Sequence, residues 1–404
     1  MLPDPKRVFG GYLGASWRWR RMRILYHHRT LGDGAEGIHI REMVKAFREL
    51  GHEVRVIGPT GETPPESSRK SRMLGHVKRL VPHALYELLE ISYTGYCFLK
   101  TILAIRSFKP DFIYDRYIIF NAGTVLAGKM CRIPICLEVN APLAKERSVE
   151  QDERLAFRKI ASRMERWICS HATQTVVVST PLKQYLESIG VPQGKCIVMP
   201  NGVDPDRCAP RVKDLSLLDK LGIHKDDFIV GFTGILRPWH GLDLLVDAVA
   251  NMVRNGLRVF LLIVGDGPYR RPLENRVNEL GVAGAICISG RVAHEMVPEY
   301  VSLFDVAVSP RATFYASPMK VIEYMALGKP VVVPRTPNFL DIIDEGINGI
   351  TFEDGNADAL ERVLVALSRS LNNCRDLGLK GRQKVETRLN WLWNARAVCR
   401  LFSV

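Results

Sequence analysis

The chain has 404 residues, 47% of them hydrophobic, which is enough for two cores because domains usually run about 100 to 200 residues. Its formal net charge of +13 favours an anionic partner, and anionic lipid and a phosphorylated small molecule both qualify, whereas dispersed basic residues without interleaved aromatics speak against nucleic acid. The nine cysteines show no CxxC pair and no histidine at zinc-ligand spacing, so they read as buried free thiols of a reducing cytosol.

The first 21 residues have no apolar region long enough for a signal peptide and read as a disordered basic extension. From Met22 short β-branched runs alternate with amphipathic stretches, the pattern of a doubly wound parallel sheet. Strands are predicted over residues 23–28, 53–58, 111–116, 135–140, 175–180 and 195–200. A helix is predicted from Ile38 to Leu50, with Ile40, Met43, Val44, Phe47 and Leu50 on one face and Gly51 as its C′ residue. Residues 66–83 crowd Arg69, Lys70, Arg72, Lys78 and Arg79, which suits either a solvated basic loop or a patch that meets an anionic membrane and a lipid-linked acceptor. The apolar stretch Leu85–Ile105 carries Glu87, Glu90 and Lys100, so no transmembrane helix is expected there.

A second strand series is predicted over residues 229–234, 259–265, 285–290, 305–310, 330–334 and 349–352. The turn-rich segment 201–210 reads as the linker. It divides a first Rossmann-like domain, residues 22–203, from a second, residues 204–385, and a last helix over 386–404 is expected to cross back to the first domain.

Open α/β sheets bind ligands at the carboxyl ends of their strands, and three loops of the second series carry unusual residues. In ILRPWHG, Arg237 and His240 flank a Pro-Trp turn before a helix, which suits a diphosphate as well as a surface loop with incidental charge. Gly265 leads into an Asp266-Gly267-Pro268 turn. In SPMKVIEYMALGKPVVVP, Ser317 as N-cap and Pro318 as N1 would leave the amides of Met319, Lys320 and Val321 facing an anion. Glu323, one turn on, can accept both hydroxyls of a ribose, or else pair with Lys320 as a surface ion pair.

At these residues the sequence resembles glycosyltransferase family 4, through DGAEGIHIREMVKAFRELGHEV, IPICLEVNAP, VVVSTPLKQYL, VMPNGVD, FTGILRPWHGLDLLVDAV, LLIVGDGP, SGRV with FDVAVSP, and SPMKVIEYMALGKPVV. The resemblance implies a GT-B fold, two Rossmann-like parallel-sheet domains facing each other across a cleft. It also implies retaining transfer from a nucleoside-diphosphate sugar to a glycan, lipid-linked or small-molecule hydroxyl, with neither cofactor nor bound metal, in the cytoplasm or peripherally on the inner membrane face. Arg237, Lys320 and His240 become the expected catalytic residues, and Glu323, Gly34, Arg116, Glu138, Asn140, Gly265, Pro318 and Met319 the expected substrate contacts. The family's arginine and lysine fall on Ile235 and His240, the first of its paired glutamates on Tyr315, and its first-domain histidines on Arg116 and Asn140. These departures keep open a non-catalytic nucleotide-sugar-binding partner and, less favoured, a sugar-nucleotide epimerase. Asp204-Pro205-Asp206 resembles a metal-binding DxD but falls in the linker.

Overall fold

Apolar runs such as Val259–Val264 are buried at every position, as strands covered by helices on both faces must be. The computed structural model describes residues 20–30, 35–59, 82–149 and 155–403. Gly34 and the basic run 69–79 lie outside them.

The chain divides into two compact units, Met1–Met199 with Trp391–Val404, and Pro200–Asn390. The first holds a six-stranded sheet, β1 (Arg23–His27), β2 (Glu53–Ile57), β3 (Phe112–Arg116), β4 (Ile135–Val139), β5 (Gln174–Val177) and β6 (Cys196–Val198), in the order β2-β1-β3-β4-β5-β6. Around it run α1 (Ala35–Glu49), α2 (His83–Phe108), α3 (Gly123–Cys131), α4 (Leu143–Val149), α5 (Arg158–His171) and α6 (Thr180–Ser188).

The second unit repeats the plan with β7 (Phe228–Thr233), β8 (Val259–Val264), β9 (Ile286–Ile288), β10 (Val306–Val308), β11 (Val331–Pro334) and β12 (Ile350–Phe352), ordered β12-β11-β10-β7-β8-β9. Its helices are α7 (Leu215–Lys220), α8 (Leu242–Arg254), α9 (Arg270–Leu280), α10 (Val297–Ser302), α11 (Met319–Ala326), α12 (Pro337–Leu340), α13 (Ala357–Ser368) and α14 (Leu371–Thr387). The last helix, α15 (Trp391–Phe402), belongs to the first unit, where Trp391 packs on His39 with ring centroids 4.4 Å apart. Every strand pairing in both sheets is parallel. Each predicted strand falls on an observed one.

α1 starts at Ala35, three residues before the predicted start, and ends as the sequence suggests. Gly51 has a φ of 83°, its amide reaches Arg48 O at 2.8 Å, and the His52 amide reaches Phe47 O at 3.2 Å, the paired bonds of a Schellman stop. By length and composition α2 could cross a membrane. Its carboxylates are instead fixed inside the first unit: Glu87 accepts from the amides of Ala156 and Phe157, and Glu90 accepts from Arg147 at 2.9 Å.

Candidate functional site

The loops after β7 and β8 are joined by their backbones. The Leu236 amide donates to Asp266 O at 3.1 Å and the Tyr269 amide to Leu236 O at 3.2 Å. Gly265, at φ 145°, lies so close to Gly234 that a Cβ there would stand 2.0 Å from the Gly234 carbonyl oxygen. This close approach accounts for glycine at 265 without a ligand contact. The helix that follows the Asp266-Gly267-Pro268 turn begins at Arg270.

Fully buried Leu236 anchors the first loop, and Arg237 follows in extended conformation, opening a 3-10 turn over Pro238–His240. Gly241, at φ 66°, closes that turn and starts α8. The Arg237 guanidinium lies 5.3 Å from the Trp239 ring centroid and makes no ion pair with a described residue.

The expected cap of α11 is corrected. Ser317 is not the N-cap: its hydroxyl accepts from the Asn201 amide at 3.0 Å, and its carbonyl accepts from the Asn201 side chain at 3.1 Å. Having given its oxygens to the linker, Ser317 leaves Pro318 as the cap, with no side-chain cap bond, and Met319 as the first helical residue. The helix opening stays uncapped, as an anion site requires. Tyr324 fixes its rotation, the hydroxyl accepting from the Thr233 amide at 2.7 Å.

Lys320 Nζ is buried without a hydrogen-bond partner, 4.2 Å from the Phe232 ring centroid. A surface ion pair with Glu323 is not what the fold makes of it. Burial drives the Lys320 pKa down to about 7, with Glu323 only partly opposing. His240, tilted over Phe232 at 5.6 Å, also has a buried and unpartnered Nδ1. Burial first, then Lys320 and Arg237, lower it to about 4, so the ring is neutral near pH 7.

Glu323 faces a cavity of 260 Å³ shared with Arg207, Arg211, Thr233 and His294. Burial raises its pKa, and His294, Arg207 and Lys320 pull the other way. Asp204 Oδ1 accepts from the amides of Asp206 and Arg207, so the Asp-Pro-Asp triplet forms a turn.

In the first unit, strand register gathers the other expected contacts, because Arg116 on β3 stands opposite Glu138 on β4. The guanidinium reaches Glu138 Oε1 at 3.2 Å, the Asn140 side-chain Nδ2 donates to the same oxygen, and His39 Nε2 lies 3.1 Å from it. Burial opposes ionisation of Glu138, but His39, Arg116 and Asn140 hold its carboxyl below the usual range. His39 is lowered to about 4, burial prevailing over Glu138.

Sequence reasoning passed over His39, though it sits four residues before Met43 on the apolar face of α1. It also passed over a buried cluster in which His27 Nδ1 meets Asp115 Oδ1 at 2.6 Å and Nε2 meets Cys97 Sγ at 3.4 Å. The available signal was a charged or imidazole side chain closing an otherwise apolar strand. Arg207, Arg211 and His294 came from segments without such a signal.

Residues 216–384 match the family model for glycosyl transferases group 1, and residues 36–207 match that for glycosyltransferase family 4. The MMP alpha-(1->4)-mannosyltransferase of Mycolicibacterium hassiacum is 24% identical over 92% of this chain and 95% of its own length. The alpha-D-kanosaminyltransferase of Streptomyces kanamyceticus is 23% identical over 59% of this chain, which spans only 63% of that relative. Among solved structures, HepE of Anabaena in complex with UDP superposes with a TM-score of 0.69 at 17% identity, over 94% of this chain and 99% of that one. With one model matched in each half and this architecture in both units, the chain belongs to the family-4 type of glycosyltransferases with the GT-B fold.

Proposed function

We propose that the protein moves a sugar, with retention at the anomeric carbon, from a nucleoside-diphosphate sugar to a hydroxyl of a glycan, lipid-linked or small-molecule acceptor. The observation that carries this reading is Lys320 Nζ, buried with no partner at the carboxyl edge of a parallel sheet. A desolvated ammonium in that position calls for an anion, and the start of α11 beside it, where the Val321 amide is taken by Pro318 O at 3.0 Å, adds the amides of Met319 and Lys320.

Breaking the donor bond leaves negative charge on the β-phosphate and positive charge on the sugar ring. Lys320, Arg237 and the Met319 amide would meet the first, and donors preorganised in this way commonly supply about 3 to 4 kcal/mol each. Such a cationic site would neutralise the leaving group without a divalent ion. Neutral His240 would offer Nδ1 for a hydrogen bond, and Glu323 would accept the ribose hydroxyls from within its cavity. The likeness to family 4 favours attack from the leaving-group face, the phosphate taking the acceptor proton. Arg116, Glu138 and Asn140 would serve the sugar or acceptor side. The basic run 69–79 would hold the protein against the anionic inner face of the membrane.

Thermal unfolding with UDP, GDP, ADP and their sugars tests the donor class, since a ligand at 100 times its dissociation constant adds about 2.7 kcal/mol. One nucleotide series should stabilise the wild type, and Glu323→Gln should bind it more weakly by calorimetry because a charge-assisted bond is lost. No stabilisation by any nucleotide would remove the donor site as drawn.

A further inference from the structure

α2 carries apolar side chains on its outer side as well as its inner one. In an ordinary surface helix the apolar stripe faces the core and the charges face water. Here Glu87, Glu90 and Thr101 are buried together with Cys97, Ile102, Ala104, Ile105 and Phe108, and yet Leu85, Leu88, Leu89, Tyr96, Leu99 and Leu103 are exposed on the outer side, from 50% at Leu85 to 65% at Leu103.

At 100° per residue the exposed side chains fall within about a 100° sector and run for roughly 27 Å along the helix. The orientation is fixed from within. Glu87 holds the amides of Ala156 and Phe157, Glu90 holds Arg147, and Gly123 of α3 packs so close that a Cβ would stand 2.5 Å from Thr94 O. Rolling the leucines inward would break these bonds and turn Ile102, Ile105 and Phe108 out to water.

We propose that this outer face lies flat on an anionic lipid bilayer, with the leucines and Tyr96 sunk among the upper acyl chains. An apolar stripe of this length is uncommon on a free surface. Charge selects the lipid: both acids of α2 point inward, while exposed Arg106 and Lys109 stand at the end of the row, and Lys100 lies 5.6 Å from the Tyr96 ring. Leucine and tyrosine rimmed by cations suit the depth and sign of a headgroup boundary. The inference rests on the peripheral-membrane part of the reading above and adds an apolar contact to an electrostatic one.

Vesicle flotation of the full chain tests it, using phosphatidylcholine vesicles with and without about one third phosphatidylglycerol, at low salt and at high salt. The paired variant Leu88→Glu and Leu99→Glu should lose about tenfold or more in affinity at both salts, and Leu88→Ala with Leu99→Ala should lose less in the same direction. A variant with serine at 69, 70, 72, 78 and 79 should lose affinity at low salt only. If the leucine variants bind as wild type while the serine variant fails, the contact is electrostatic alone and this inference falls while the earlier reading stands. Wild type that floats with no vesicle refutes both. Sedimentation without lipid completes the test: a wild-type dimer that the Leu99→Glu change dissociates would assign the face to a second copy and overturn the proposal.

Discussion

Lys320 is poorly placed for stability and well placed for an anion. Its pKa near 7 in the fold, against 10.5 when free, means that the folded state carries the full desolvation penalty below about pH 7. The penalty fades as pH rises toward 10.5, where the unfolded chain also gives up its proton. Lys320→Met should therefore raise the melting temperature of the unliganded protein, more at pH 6 than at pH 9, while abolishing nucleotide binding. Binding should restore the charge, so calorimetry of the wild type at pH 8 in buffers of different ionisation enthalpy should record proton uptake. A melting temperature unchanged at pH 6, or binding without proton uptake, would show that Lys320 is not the buried cation described.

At the scale of elements, the donor loops are held by backbone packing at Gly234 and Gly265. Gly265→Ala should destabilise the protein by about 1 to 3 kcal/mol in denaturant unfolding, through the Gly234 contact and a φ that side chains rarely adopt. Wild-type stability would mean that the loops can part without penalty. Central strands such as β8 were legible in the sequence because they are apolar at every position, edge strand β2 because Glu53 and Arg55 alternate with Val54 and Val56, and Gly51 marked its helix end because few other residues suit φ 83°. The cap of α11 was misassigned because Ser317 has a competitor distant in sequence, Asn201, that local reasoning does not supply. Lys320 and Glu323 were readable as residues, but the isolation of Lys320 Nζ depends on packing against Phe232, a residue of another element. The exposed apolar face of α2 stayed hidden for the same kind of reason. Its carboxylates resemble solvent-facing charges until their partners, the Ala156 and Phe157 amides and Arg147, are brought in.

Over the whole molecule, two units of one architecture carry opposite chemistry. In the first, Arg116, Asn140 and His39 converge on one oxygen of the Glu138 carboxylate, while its Oε2 is buried with no hydrogen bond among the described residues. In the second, the cations Lys320 and Arg237 lie against the rings of Phe232 and Trp239 and form no ion pair among the described residues. In the reading proposed above these cations would bind the leaving diphosphate, and groups that act on charge growing in the transition state change turnover more than affinity. The direct measurement is release of nucleoside diphosphate by the purified full chain from the sugar nucleotide that stabilises it, the sugar passing to water or to a hydroxyl acceptor supplied in the assay, for wild type, Arg237→Ala and Arg237→Lys. Wild type should release it. Arg237→Ala should be slower by about a hundredfold or more with little change in donor affinity, and lysine, a point charge in place of a fork, should recover only part of the rate. No release by wild type, or equal release by all three proteins, would contradict the account.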